Sequence, residues 1–383
     1  MTRIALLSTY PPTQCGLATF SAALCRGLLR ASARVGVVSV VEEHSPGPWP
    51  GEVVAELVNS SVPSAMAAVR TLNGFDAVIV QHEYGIYGGT DGVDVLDVVE
   101  ALTVPTIVVL HTVLAQPTPG QRRILRRLLA VAATVVTMTE TGRRRLVEVY
   151  GADPDLVTVI PHGAIEHHGA RARRIPGTRP LILTWGLLGP GKGIEWAIDA
   201  MVALRDLAPR YLVAGKTHPK VLEREGETYR HRLTARARAL GVTDIVEIDP
   251  SYRDLADLAA LVSAADVVLL PYDSSEQVTS GVLIEAVAAG RPVVSTAFPH
   301  AVELLAGGSG LTVARKDPAA LATALRRVLS EPGLAATMAG HASRQAPALA
   351  WGAVAETYRL LADRLVANQL ADRLVANQLA AVS

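Results

Sequence analysis

Short apolar runs alternate with amphipathic stretches along almost the whole chain. Most runs are continuous Val, Ile and Leu, as strands covered on both faces require, so they predict parallel sheets with helices on either side. The predicted strands of the first half are 4–7, 35–40, 77–80, 106–110, 134–138 and 157–160. Those of the second half are 181–184, 211–214, 245–248, 267–270, 293–295 and 311–313. The pattern predicts an α/β protein with two doubly wound parallel-sheet domains in tandem, facing a cleft.

The alternation pauses between residues 164 and 180, where His, Arg, Gly and Pro are frequent and periodicity is weak. We therefore predict a first domain at 1–163, a linker at 164–180 and a second domain at 181–347. Residues 348–383 are predicted to form a C-terminal helix that crosses back to the first domain.

That helix contains a tandem duplication, because the nine residues 361–369 are repeated without change at 370–378. Nine residues advance a helix by about two and a half turns, so the apolar positions of the second copy point away from those of the first. The second copy is therefore predicted to lengthen the helix beyond its docking site. An oligomer contact is the alternative, which leaves both monomer and dimer open.

Composition narrows the classes of function. The 383 residues carry a formal net charge of zero, so no overall field favours nucleic acid or an anionic membrane. Two cysteines are too few for a disulfide framework or a zinc site, and they fit a reducing compartment. The first apolar run is predicted to be a strand rather than a signal peptide, and no window approaches the ~20 apolar residues of a spanning helix. These features predict a soluble, cytoplasmic protein without a transmembrane segment, and they leave peripheral membrane contact open.

A polar loop follows the predicted strand 267–270 and leads into a helix that starts near Gly281. The backbone amides of Thr279, Ser280 and Gly281 are therefore predicted to form an anion site at the positive end of the helix dipole. Glu285 lies one turn further on, in an otherwise apolar helix. A buried charge needs a partner, and a pair of sugar hydroxyls is a natural one.

A glycine-rich loop, from Gly186 to Lys192, follows the first strand of the second half. Lys216 follows the next strand, and the chain has only four lysines in all. Glycines let the backbone approach a ligand and a lysine suits phosphate, so the two loops predict a cationic pocket. A tight turn with an exposed lysine is the structural alternative. The spacing does not match a Walker A loop.

Three further loops at predicted strand ends carry polar groups in the first half. Gly16 lies near the start of the first helix, where it permits close approach of a ligand. His82, followed by Glu83 and Tyr84, and His111 end neighbouring strands. Either histidine can hydrogen-bond a substrate hydroxyl or exchange a proton. Purely structural roles remain the alternative for Gly16 and for both histidines.

Together, the two tandem domains, the loop ending in Lys192 and the segment from Glu285 to Val294 (EAVAAGRPVV) resemble the GT-B retaining glycosyltransferases of family 4. The resemblance extends from the first strand to Trp351. It implies two Rossmann-like domains and transfer of a sugar from a nucleotide diphosphate sugar to a hydroxyl acceptor with retention of configuration. It also implies that neither a metal nor another cofactor takes part.

The resemblance also implies roles for individual residues. Glu285 would hold the ribose, Lys192 the diphosphate, and residues 279–281 the phosphate and sugar. His111 would contact the transferred sugar. Gly16 would border the diphosphate. The loops themselves add Gly186 to the donor residues, and His82, Glu83 and Tyr84 to the acceptor or sugar residues.

Two positions depart from the family pattern. Gln277 stands where a glutamate is usual, with Glu276 one residue out of register, and Leu187 stands where an arginine is common. Gln277 cannot be a carboxylate nucleophile, so retention would come from front-face attack in which Gln277, His111 and Lys192 position and stabilise the reacting groups. Lys216 or Arg253 is predicted to replace the missing arginine.

Several functions stay open at this point. The donor sugar is expected to be a hexose of the mannose or glucose class, carried by GDP or UDP. A sugar-phosphorolysing enzyme and a non-catalytic sugar- or nucleotide-binding module fit the same scaffold. A nicotinamide dehydrogenase is disfavoured because the first strand is not followed by the dinucleotide fingerprint.

Overall fold

The computed structural model describes residues 1–45, 47–166, 178–251 and 253–382. The chain forms two compact units, one made of residues 1–163 with 351–383 and the other of residues 164–350. Residues 167–177, the central part of the predicted linker, lie outside the described residues.

The first unit is built on a seven-stranded parallel sheet with the order β3-β2-β1-β4-β5-β6-β7. Its strands are β1 Arg3–Ser8, β2 Arg34–Val41, β3 Val53–Val58, β4 Ala77–His82, β5 Thr106–Leu110, β6 Thr134–Thr137 and β7 Val157–Val159. Its first five helices are α1 Gly16–Arg30, α2 Val62–Leu72, α3 Val95–Val99, α4 Pro119–Val131 and α5 Glu140–Tyr150. Short 3₁₀ turns occur at Thr90–Gly92 and Pro154–Leu156.

The second unit has a six-stranded parallel sheet with the order β10-β9-β8-β11-β12-β13. Its strands are β8 Leu181–Trp185, β9 Arg210–Ala214, β10 Val246–Asp249, β11 Val267–Leu270, β12 Val293–Thr296 and β13 Gly310–Val313. Its helices are α6 Ile194–Val202, α7 Pro219–Glu225, α8 Thr228–Ala239, α9 Leu255–Ala264, α10 Gly281–Ala288, α11 Pro299–Leu305, α12 Pro318–Ser330 and α13 Leu334–Leu349. A 3₁₀ turn lies at Arg205–Leu207.

The two parallel sheets confirm the predicted fold class. In each sheet the strand order reverses once, beside β1 in the first and beside β8 in the second. Open parallel sheets bind ligands at the carboxyl ends of the strands next to such a reversal. The loops that follow β1, β4, β8 and β11 are therefore the positions at which to look for a site.

The sequence pattern missed β3 and the helices α2, α7, α11 and α13, and it overextended α3. The buried Glu56 interrupts the apolar run of β3, so the run does not look like a covered strand. The pattern of residues 92–102 predicts one helix, but Asp91 adopts a φ of 58° and α3 covers only Val95–Val99. The left-handed backbone at Asp91 starts a tight turn that hydrophobic periodicity does not reveal.

The last helix, α14 Trp351–Val382, belongs to the first unit. Its residues Val354 and Tyr358 are buried in the same core as Ile4 and Ile79 of the sheet. A Cβ on Gly27 of α1 would lie 2.5 Å from the Cβ of Ala355, so the glycine allows the two helices to pack closely.

The two copies of the duplicated segment differ in burial. Leu361 of the first copy is 5% exposed, whereas Leu370 at the same place in the second copy is 55% exposed. The half-turn offset of a nine-residue step accounts for this difference. Within the described residues, no helix combines the length and the apolar character needed to cross a bilayer.

Candidate active site

The loops that follow β8 and β11 are in direct contact at the strand-order reversal of the second sheet. The Asp273 amide donates to the Gly191 carbonyl oxygen at 2.9 Å. Gly193 has a φ of 63°, and a Cβ there would lie 1.9 Å from the Pro271 carbonyl oxygen. Glycine is therefore required at position 193, because the two backbones approach too closely for a side chain.

Lys192 rests on an aromatic pair. Its Nζ lies 4.4 Å from the centre of the Tyr272 ring, a cation–π distance. Tyr272 is 1% exposed and stacks on Phe298 with ring centres 5.3 Å apart. The packed rings restrict where the lysine ammonium can lie. Sequence reasoning selected Lys192 but missed both aromatic residues that support it.

The loop after β9 joins the same arrangement. The Leu188 amide donates to the Lys216 carbonyl oxygen at 2.8 Å, and the His218 amide donates to the Leu188 carbonyl oxygen at 2.8 Å. Strand pairing thus continues beyond β8 and β9 and places the Lys216 backbone beside the glycine-rich loop. At the start of this loop, the Gly186 amide donates to the Ala214 carbonyl oxygen.

His218, in the loop after β9, lies near several basic side chains. Burial lowers the pKa of His218, and the nearby Lys192, Lys220 and Arg224 lower it further. An imidazole in this setting stays neutral, so it adds no positive charge at neutral pH.

Arg253 lies near the same loops, because the Gly215 amide, next to Lys216, donates to the carbonyl oxygen of Asp249 at 2.9 Å. It follows β10, the edge strand, and forms an ion pair with Asp249. The Ser251 hydroxyl and amide, together with Arg253, lower the pKa of Asp249 to about 2. Of the two residues predicted to replace the missing arginine, the structure places Lys216 beside the glycine-rich loop and pairs Arg253 with a carboxylate.

The start of α10 has the expected capping geometry. Ser280 is the N-cap, and its Oγ accepts from the Leu283 amide at 3.3 Å. The first full helical bond runs from the Ile284 amide to the Ser280 carbonyl oxygen. The amides of Gly281 and Val282 therefore precede the helical ladder and are the ones offered to an anion. The Ser280 amide is already engaged, since it donates to His300 Nδ1 at 2.8 Å.

The loop before α10 contains several internal hydrogen bonds. The amides of Glu276 and Gln277 both donate to Ser274 Oγ, at 3.3 and 3.1 Å. Gln277 Nε2 donates to the Thr279 carbonyl oxygen at 3.0 Å, which turns its side chain back toward the loop. Thr279 Oγ1 is buried and has no hydrogen-bond partner among the described residues.

Glu285 is partly buried and lies against the beginning of the second unit. Both of its carboxylate oxygens are 3.3 Å from the amide nitrogen of Ile165. A carboxylate has about four acceptor sites, so this group can accept more than one hydrogen bond.

In the first unit, Gly16 is the first residue of α1. Cys15 caps the helix, its Sγ accepting from the Ala18 amide at 3.3 Å. A Cβ built on Gly16 meets nothing within 4 Å. Steric contact with the described residues therefore does not explain why glycine occupies position 16.

His111 follows β5 and is held by its neighbours. Its Nε2 lies 2.7 Å from Gln81 Oε1, and Phe20 meets its ring edge-on with centres 4.8 Å apart. With the Gln81 amide in this orientation its oxygen accepts, which assigns the proton to Nε2 and the free lone pair to Nδ1. Burial, and then His162 and His82, lower the pKa of His111 to about 3. The imidazole is neutral at pH 7.

His82, Glu83 and Tyr84 lie at the end of the adjacent strand β4. The Thr112 hydroxyl and the Tyr84 amide donate to Glu83, at 2.5 and 3.0 Å, so this carboxylate links the loops after β4 and β5. His82 is fully buried, and neither of its ring nitrogens has a partner among the described residues. The backbone places His111 close to His82, because the His111 amide donates to the His82 carbonyl oxygen.

Two family models match the chain, one in each half. Residues 15–165 match the model described as Glycosyltransferase Family 4, and residues 179–331 match the model described as Glycosyl transferases group 1. The chain belongs to glycosyltransferase family 4. The second match includes both Lys192 and Glu285, and the first includes Gly16 and His111.

Curated relatives of this family 4 chain include two proteins named D-inositol 3-phosphate glycosyltransferase. The protein from Kineococcus radiotolerans is 31% identical over 265 residues, which cover 63% of this chain and 59% of the relative. The protein from Acidothermus cellulolyticus is 34% identical over 252 residues, covering 61% of this chain and 54% of the relative. The matches thus span little more than half the length of these relatives.

Solved structures show the same GT-B fold as this family 4 chain. Anabaena Alr3699/HepE in complex with UDP and glucose superposes with a TM-score of 0.75 at 17% identity, covering 95% of this chain and 100% of the other. Sucrose-phosphate synthase from Thermosynechococcus elongatus gives 0.74 at 21% identity, covering 96% and 100%.

Proposed function

We propose that this protein is a retaining glycosyltransferase that moves a hexose from a nucleotide diphosphate sugar to a hydroxyl acceptor. The observation that carries the proposal is the contact of the Lys192 ammonium with the Tyr272 ring. The loop that contains Lys192 also packs, at Gly193, against the segment that leads into α10. A fixed ammonium and a free helix start are two devices that bind a diphosphate.

We assign the donor contacts as follows. Lys192 and the amides of Gly281 and Val282 bind the diphosphate, and Lys216 supplies a second positive charge from the adjoining loop. Glu285 accepts hydrogen bonds from the ribose hydroxyls. The donor sugar is of the glucose or mannose class, and UDP-glucose is the first donor to test because solved relatives contain UDP and glucose.

The chemistry proposed is front-face substitution. The bond between the anomeric carbon and the leaving phosphate oxygen breaks as the acceptor hydroxyl attacks from the same face, and the leaving phosphate accepts the hydroxyl proton. Lys192 stabilises the charge that develops on the diphosphate. Gln277 and the neutral His111 hold the transferred sugar, with Nδ1 of His111 accepting from a sugar hydroxyl. The reaction as proposed uses no metal and no other cofactor.

The acceptor is proposed to bind beside His82, Glu83 and Tyr84 in the first unit. The names of the curated relatives make an inositol phosphate the first acceptor to test. We also propose a cytoplasmic location, in keeping with the free thiols of Cys15 and Cys25.

A thermal-shift panel tests the proposal. UDP-, GDP- and ADP-sugars are added separately to the full chain, and binding of one donor raises the melting temperature. Incubation of that donor with acceptors follows, with the anomeric configuration of the product read by NMR. A product of inverted configuration would contradict the retaining mechanism.

Inorganic phosphate and a free disaccharide are added to the panel to distinguish the alternatives. A shift with inorganic phosphate and a free disaccharide, accompanied by sugar phosphate formation, identifies a phosphorolysing enzyme. A shift with a nucleotide sugar but no turnover with any hydroxyl acceptor or with water identifies a binding module.

A further inference from the structure

His300 is a buried polar residue to which sequence reasoning assigned no role. It is the second residue of α11 and is 2% exposed. It follows Phe298 closely, the residue that stacks on Tyr272 beneath Lys192. One short segment after β12 thus reaches both parts of the proposed donor site.

Two hydrogen bonds join His300 to the loop before α10. Its Nδ1 accepts from the Ser280 amide at 2.8 Å, and its own amide donates to the Gln277 carbonyl oxygen at 3.4 Å. The bonded positions lie on either side of Val278 and Thr279, and Val278 is itself buried. His300 therefore holds the loop at both ends of its last turn.

We propose that His300 is the positioning residue that sets the conformation of residues 277–281 for binding of the nucleotide sugar. This inference rests on the proposed function. The Ser280 amide is buried and needs an acceptor, and Nδ1 supplies it. Without that acceptor the amide must turn toward another partner, which rotates the peptide planes of Thr279 and Gly281 away from the arrangement that meets the phosphate.

The requirement is for an acceptor atom at one place rather than for an imidazole. In asparagine, Oδ1 is attached to Cβ through a single carbon, as Nδ1 is in histidine, so it can occupy nearly the same position. Leucine has a similar size to asparagine but no acceptor. His300→Asn and His300→Leu therefore form a matched pair that separates the hydrogen bond from the packing.

The kinetic test compares the two variants with the unaltered chain. We expect His300→Leu to raise the KM for the nucleotide sugar about tenfold or more, as loss of a buried amide's partner implies, with the acceptor KM unchanged. His300→Asn should stay within about threefold of the unaltered chain for both substrates. Equal effects of the two variants on donor KM, or no effect of either, would overturn the inference.

A second measurement does not depend on activity. Amide hydrogen exchange of the Ser280 N–H should accelerate at least tenfold in His300→Leu and remain slow in His300→Asn. Equal protection in all three proteins would overturn the positioning role, whatever the kinetics. If the unaltered chain neither binds nor turns over any nucleotide sugar, the proposed function fails, and the exchange comparison still decides whether His300 orders the loop.

Discussion

The Lys192 ammonium lies 4.4 Å above the centre of the Tyr272 ring, and this contact ties the glycine-rich loop after β8 to the segment after β11. Tyr272 is in turn stacked on Phe298, so its ring has little freedom to move. A lysine supported in this way is preorganised, which reduces the entropy lost when it binds an anion.

The contribution of the ring can be measured with two substitutions. Tyr272→Leu removes the face on which Lys192 rests, and we expect about fivefold weaker binding of the nucleotide sugar by calorimetry. Tyr272→Phe should bind within about twofold of the unaltered chain, because the ring remains and the hydroxyl has no partner among the described residues. Equal binding by both variants would show that the ring does not support the site.

Lys192 itself should be needed for the donor. We expect Lys192→Ala to weaken donor binding at least tenfold and to lower turnover, since it removes the charge assigned to the diphosphate. Arg70→Ala is the control, because it removes an exposed positive charge from α2 in the first unit. If donor affinity and turnover survive Lys192→Ala, the site assignment is wrong.

Two glycines should respond in opposite ways to alanine. Gly193→Ala would push a methyl group into the Pro271 carbonyl oxygen at a φ of 63°, so we expect a loss of about 3 kcal/mol in the free energy of unfolding. Gly16→Ala meets open space and should leave the unfolding free energy within about 1 kcal/mol. Donor turnover should nevertheless fall in Gly16→Ala, because the ligand is proposed to approach this backbone. Unchanged turnover would indicate a structural turn.

Separate substitutions of Gln277 and Glu276 can show which of the two side chains faces the sugar. Gln277→Ala should lower turnover at least tenfold, because Gln277 is assigned to the sugar and also bonds the Thr279 carbonyl oxygen. Glu276→Gln, which removes a charge and keeps the size, should have little effect on turnover. The reverse pattern in a steady-state assay would place Glu276 at the sugar-facing position.

His82 should make the fold sensitive to acid. Burial lowers the pKa of His82 from 6.5 to about 4, so between these values the unfolded chain binds a proton that the folded chain does not. Stability therefore falls as the pH is lowered through this window. We expect His82→Leu to remove about 2 kcal/mol of the loss in unfolding free energy between pH 7 and pH 5, measured by urea denaturation.

The exposed His231 on α8 provides the control for this measurement. His231→Gln should follow the pH dependence of the unaltered chain. An unchanged pH dependence in His82→Leu would mean that His82 is not kept neutral by the fold.

Much of the architecture could be predicted from local patterns. Covered parallel strands need continuous β-branched runs, and each such run, for example Val267–Leu270, became a strand. Helix starts are likewise local, since Ser280 caps α10 through its own side chain. Strand β3 was not predicted, because its buried Glu56 interrupts the apolar run.

Within the candidate site, the sequence by itself determined which segments carry chemistry: the glycines around Lys192, the start of α10 and the histidines at the ends of β4 and β5. Only the tertiary structure decided which of these groups meet. The contact of Lys192 with Tyr272 and the bond of His300 to Ser280 depend on strand order and on loops distant in sequence. The physical reason is that backbone propensity and side-chain periodicity act over a few residues, whereas these contacts join separate strands whose order in the sheet the local pattern leaves undetermined.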